Sequence, residues 1–146
     1  MATFANAYVK GLLNEQRIKP HCEKLWGVCQ KLAPKHTFDF DGGSFFVEVK
    51  SRFCNFLDYE TTLLPYHKIA EMEYHPDKEL YCVFVFYDGA YYIKYDEATF
   101  KTFFVEQNFV CKKRKDKDDK PAPHYHIPIC KLTKIPTFNG TASSLP

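Results

Sequence analysis

Asp39, Glu48 and Lys50 stand in one short stretch, Phe38-Asp39-Phe40-Asp41-Gly42-Gly43-Ser44-Phe45-Phe46-Val47-Glu48-Val49-Lys50. Strands alternate their side chains between two faces. Phe45, Val47 and Val49 then point one way, and Phe46, Glu48 and Lys50 the other. Burying part of an acid–lysine pair is costly unless the groups pair or bind an ion. A four-residue turn over Asp41-Gly42-Gly43-Ser44 sets Phe40 opposite Phe45 and Asp39 opposite Phe46. Asp39 is then diagonal to Glu48, roughly 7–8 Å away between backbones. Two carboxylates at that separation reach a common cation. With the strand carbonyl of Val49 they are hard oxygen donors of the kind Mg²⁺ or Mn²⁺ prefers. Such an ion acidifies a water and offsets charge on a phosphate oxygen, and Lys50 reaches the same water as a compact cation. That combination is the chemistry of phosphodiester hydrolysis. The competing explanation is a solvated sheet face with a cross-strand ion pair. An acid-x-lysine triplet is weak by itself, since Asp118-Asp119-Lys120 repeats it in a polar stretch.

The elements that position these groups follow from periodicity and breakers. Thr3 opens a helix through about Lys19, with Phe4, Tyr8 and Leu12 at helical spacing. Pro20 breaks or kinks it. A second helix carries Cys22, Leu25, Cys29 and Leu32 on one stripe and ends at Pro34. The hairpin of His36–Phe40 and Phe45–Phe53 comes next. Leu63–Tyr74 reads as a helix with Pro65 in its first turn. Leu80–Tyr87 is a continuous apolar run, expected as a central strand covered on both faces. Asp88-Gly89 turns it into Tyr91–Tyr95. Asp96 caps a helix through about Gln107. His126–Leu132 is a last strand, where Pro128 indicates an edge. The order α-α-β-β-α-β-β-α-β predicts an α/β fold, a mixed sheet flanked by helices. Residues 1–136 form one domain and 137–146 a tail.

At 146 residues, 45% hydrophobic and 17% aromatic, the chain can bury one core and is not generally disordered. No run is long and apolar enough for a spanning helix. The N-terminus lacks the regions of a secretion signal, so a cytoplasmic location is expected, or host cytoplasm or nucleus for a viral chain. The six cysteines are widely spaced without C-x-x-C and read as buried small hydrophobes. Zinc at His124, His126, Cys111 and Cys130 fits no compact spacing. His67 and His75, flanking a helix, read as surface residues. The net charge of +2 is uninformative, but Lys112-Lys113-Arg114-Lys115 is a basic run. It is either a solvated connection or a contact to DNA phosphates.

Asp39, then Glu48-Val49-Lys50-Ser51-Arg52 after a glycine hairpin, resembles the PD-(D/E)xK nuclease superfamily, in the manner of its phage and large-virus members. Phe38 stands where that pattern has proline. The resemblance covers roughly residues 11–96. It implies a restriction endonuclease-like fold and a Mg²⁺- or Mn²⁺-dependent deoxyribonuclease, with an endonuclease favoured. Asp39, Glu48 and Val49 would hold the metal, and Lys50 would act on the attacking water. Many members add an acid from the first helix; Gly11-Leu12-Leu13-Asn14-Glu15 is similar to that helix, so Glu15 takes this place, with Glu23 in reserve. Tyr59-Glu60-Thr61-Thr62-Leu63-Leu64 followed by Lys68 is similar to a segment whose lysine approaches the site. DNA is the implied partner, a homodimer is possible, and no membrane is expected. A catalytically inactive nuclease fold serving as a DNA-binding or assembly module is the alternative.

Overall fold

The computed structural model describes residues 4–110 and 120–140. The basic run Lys112-Lys113-Arg114-Lys115 and the triplet ending at Lys120 therefore fall wholly or largely outside the described residues.

The first element is one continuous helix, α1 (Phe4–Trp26), with Pro20 inside it. Two helices broken at Pro20 were expected. Proline removes a single N–H donor and crowds the preceding turn, and here the flanking helix continues through that gap because its buried face demands it. Ile18 and Cys22, on either side of Pro20, are both fully buried. The true stop is Gly27, with φ of 115° and its amide donating to the Glu23 carbonyl at 2.9 Å. That is an αL cap, which glycine adopts without a Cβ penalty. Cys29 and Leu32 lie beyond it.

Among the described residues nine strands follow: β1 (Gln30–Lys31), β2 (Phe40–Asp41), β3 (Phe45–Ser51), β4 (Thr61–Pro65), β5 (Glu79–Phe86), β6 (Gly89–Lys94), β7 (Phe104–Phe109), β8 (Ala122–Pro128) and β9 (Thr133–Lys134). Short helices α2 (Tyr66–Ala70) and α3 (Glu97–Phe100) lie between β4 and β5 and between β6 and β7. Six strands form a mixed sheet in the order β1-β2-β3-β5-β6-β9; β3 and β5 run parallel, and its other pairs are antiparallel. A second, antiparallel sheet has the order β4-β8-β7. The coarse expectation of an α/β chain with a mixed sheet and helices stands, but the order of elements does not.

Four differences matter. The segment read as one helix, Leu63–Tyr74, is a strand followed by α2 and a 3₁₀ turn over Glu71–Tyr74. Thr62 and Leu64 are buried while their neighbours are half-exposed, a strand alternation that Pro65 ends. Asp96 does cap a helix, accepting from the Thr99 amide at 3.0 Å. That helix closes at Phe100, and Phe104–Phe109 is a strand. The Pro128 strand begins at Ala122 and is central in its sheet; its proline sits at the last position, where a missing donor is tolerated. The β2–β3 hairpin pairs Phe40 with Val47 and Asp41 with Phe46, two residues out of the expected register. Its loop is Gly43-Ser44, with φ of 88° at Gly43, and the Gly42 amide donates to the Phe45 carbonyl at 2.9 Å. A two-residue loop opened by a left-handed glycine matches strand twist.

Strands β3 and β5 divide the core. Phe45, Val47 and Val49 join Val83, Val85, Ile18, Cys22, Ile135 and Phe138 beneath α1. Phe46 joins Leu80, Cys82, Phe84, Leu64, Tyr125 and Ile127 against the second sheet. Strand β5 is covered on both faces, as its unbroken apolar run predicts. Phe138, within the segment read as a tail, is buried. No helix among the described residues is long and apolar enough to cross a membrane.

Candidate metal and phosphate site

Glu48 lies on the β3 face turned toward the second sheet and is 2% exposed. Its Oε2 lies 3.2 Å from Lys50 Nζ and 3.1 Å from Lys68 Nζ. Lys68 comes from α2 and also donates to the Thr37 carbonyl. Glu48 Oε1 is buried with no hydrogen-bond partner. Burial raises the Glu48 pKa, opposed by Lys50 and Lys68 and reinforced by Asp39. Burial lowers that of Lys50, aided by the charges of Lys68 and Arg52 and opposed by Glu48. The side chain of Lys50 nonetheless keeps 27% exposure, so the group is enclosed without being sealed off.

Asp39 sits just before β2, between the β1 and β3 sides of the sheet. Its Oδ2 accepts from the Val49 amide at 2.7 Å, and its own amide donates to the Val47 carbonyl at 3.0 Å. The carboxylate therefore occupies the place of a neighbouring strand's carbonyl, instead of standing on the Glu48 face as the diagonal pairing implied. Both backbone groups of a strand residue leave toward the same neighbour, so the Val49 carbonyl is directed to the Asp39 side. Burial pushes the Asp39 carboxyl up to about 6, with the nearby Glu15 charge adding to the rise. Glu15, from α1, lies 2.7 Å from Lys31 of β1. Its Oε2 is buried and finds no aligned hydrogen bond despite that contact.

The structure thus brings together two small groups, Glu48–Lys50–Lys68 and Glu15–Asp39–Lys31, joined where Asp39 meets Val49. Glu23 is not part of either; its Oε2 accepts from the Cys29 amide at 3.1 Å at the end of α1. Among the described residues, no three His, Cys, Asp or Glu side chains are gathered closely enough to hold a metal ion as they stand. A shallow depression of about 410 Å³, lined by Leu57, Asp58, Tyr59, Glu60, Ile129 and Cys130, shares no residue with these groups.

Lys31, Arg52 and His124 were not singled out for this site from the sequence. Arg52 donates to Thr62 Oγ1 at 2.9 Å and to the Leu63 carbonyl, tying the end of β3 to β4. Burial lowers the His67 and His124 pKa values, and the charge of Lys50 lowers both further. Both rings therefore lie within electrostatic reach of Lys50, and His67 is also reached by Lys68. Only the β4–β8 pairing, with Pro65 opposite His124, makes them neighbours; no local signal carried that. No protein-family model, curated protein or solved structure matches this chain.

Proposed function

We propose that the chain is a divalent-metal-dependent nuclease that hydrolyses DNA phosphodiester bonds, with Asp39, Glu48 and the Val49 carbonyl as the metal ligands. One observation carries this reading: a fully buried glutamate has an unpartnered oxygen, and the next residue along its strand, Val49, is held by a half-buried aspartate whose charge is itself disfavoured. Both features are relieved by a cation. Two carboxylates and a carbonyl are hard oxygen donors, and Mg²⁺ is commonly held by one or two carboxylates while retaining waters. The residues fit the ion by donor chemistry. When bound, it would supply an acidified water and neutralise charge on the phosphate.

Every other part belongs to this chain. Lys50, its pKa lowered by burial, holds the attacking water and takes its proton at Nζ more readily than a solvated lysine. Lys68 keeps Glu48 charge-balanced when Lys50 is neutral and holds its carboxylate oriented. Glu15 positions Asp39 and orders waters from the α1 side. The basic run Lys112–Lys115 adds phosphate contacts in this reading.

Lys50→Ala should reduce Mg²⁺-dependent cleavage of a DNA panel (single-stranded, duplex and branched) by about 10²–10⁴-fold while leaving far-UV circular dichroism unchanged. Full activity in that variant would sink the proposal. A second reading has its own support: Lys50 and Lys68 already balance Glu48 without any ion, as in a structural ion-pair cluster. A non-catalytic DNA-binding module would show no rise in melting temperature with Mn²⁺, whereas the nuclease should be stabilised by metal binding to its native state.

A further inference from the structure

The second sheet has one face in the core and one outside. Thr62, Leu64, Tyr125 and Ile127 are buried. Leu63, Pro65, His124, His126, Phe104, Glu106 and Phe109 are not, and cross-strand pairing places the first six on the outer face. We propose that this outer face is a platform for unpaired nucleotides of single-stranded DNA, leading to the Glu48–Lys50 site. The proposal rests on the nuclease reading for its direction toward that site and names the substrate class.

Two ring pairs lie along the face. Phe104 and His126 have centroids 5.3 Å apart, and Phe109 and His124 4.8 Å apart. Phe104 is 65% exposed, an unusual position for a large apolar ring on a paired strand. Its neighbour is fixed: His126 Nε2 lies 2.8 Å from Glu106 Oε1, and Nδ1 lies 3.1 Å from Thr61 Oγ1. The rings thus form a surface prearranged for stacking. His124 Nδ1 lies 3.1 Å from the Ala122 carbonyl, which makes it the donor and leaves Nε2 available.

Charge decides what such a surface would accept. At its Pro65–His124 end the face leads directly into α2, which carries His67 and Lys68, Arg52 donates to the Leu63 carbonyl, and the charges of Lys50 and Arg52 reach His124. Among the described residues of these strands, Glu106 is the acid on this face, and it is engaged with His126. Exposed rings running into clustered cations suit bases on the rings and phosphates on the cations. Stacking on aromatic side chains requires bases whose faces are open, which a single strand offers and an uninterrupted duplex does not.

The test is fluorescence anisotropy with labelled oligothymidine and the matching oligo(dA)·oligo(dT) duplex, in EDTA, across a salt series. Wild type should prefer the single strand. Phe104→Ala should weaken that binding about tenfold without changing the salt slope, because stacking releases no counterions. Phe104→Trp should restore it. Equal or tighter duplex binding, no binding of either DNA, or an unaffected Phe104→Ala variant would each overturn the platform. Because the readout needs no cleavage, the two ideas fail separately. Phe104-dependent binding with no cutting in Mg²⁺ or Mn²⁺ removes the nuclease and keeps the platform.

Discussion

Glu48 is gripped by two ammonium groups through one oxygen and by nothing through the other, while Asp39 is charged only against opposition. The sign of the latter effect is testable. A carboxyl whose pKa is raised on folding binds more protons in the native state than in the unfolded one between its two pKa values. Stability contributed by Asp39 is therefore full below the ordinary carboxylate range and falls as pH rises to about 6. In EDTA, Asp39→Asn should flatten part of that fall and raise stability at neutral pH by roughly 1–3 kcal/mol. Glu48, also raised, keeps a residual slope of the same sign, while the lowered Lys50 acts on the alkaline side. Urea titrations at several pH values check this, and an unchanged slope would count against the crowded Glu15–Asp39 pair. At this scale much was legible. Strand alternation alone put Glu48 and Lys50 on one face. Glu15 and Lys68 came by resemblance, and the structure does set them beside Asp39 and Glu48. Lys31 and His124 were not legible, because strand pairing creates their proximity, β1 with β2 for Lys31 and the distant β4 with β8 for His124.

Elements are where local signals misled, and each error has a physical cause. Pro20 reads as a breaker, yet tertiary burial of Ile18 and Cys22 holds α1 together around it. Such a proline is a standing cost, and it is exposed. Pro20→Ala should stabilise the protein by about 1–3 kcal/mol, the interior-helix penalty less the entropy returned to the unfolded chain. A denaturant midpoint that falls in this variant would argue against a continuous α1. Phe100, Phe103 and Phe104 have helical spacing, but Phe104 faces outward from a strand while Phe100 and Phe103 are buried. The same three residues therefore fit two structures, and only the β7–β8 pairing chooses. The hairpin was legible as a hairpin from its paired glycines. Its register was not, because placing the loop at Gly43-Ser44 depends on how Gly42 accommodates Phe45. A Cβ at Gly42 would lie 2.1 Å from the Phe45 ring.

For the molecule as a whole, the mixed sheet was foreseeable from the apolar run of β5, and the second sheet was hidden because β4 and β7 read as helices around the one expected strand, part of β8. What joins the sheets is the core beneath Glu48, so the site lies at their seam. Buried thiols lie on both sides of the large sheet. Cys22 and Cys29 are enclosed under α1, and Cys82, paired in register with Glu48, lies on the opposite side of the large sheet. Burial keeps them protonated, raising Cys22 to about 12 and shifting Cys29 and Cys82 upward as well. Cys54 is half-buried and Cys130 exposed. With Cys54, Cys111 and Cys130 replaced by serine, alkylation becomes a clock for opening of the fold. Mass-resolved labelling should give Cys22 and Cys82 a single shared rate, slowed by denaturant removal. Faster loss of Cys82 would mean that the two sheets part before α1 lifts. The protein thus carries its own internal timer, able to report whether a bound cation or a DNA strand fastens one layer or the whole molecule.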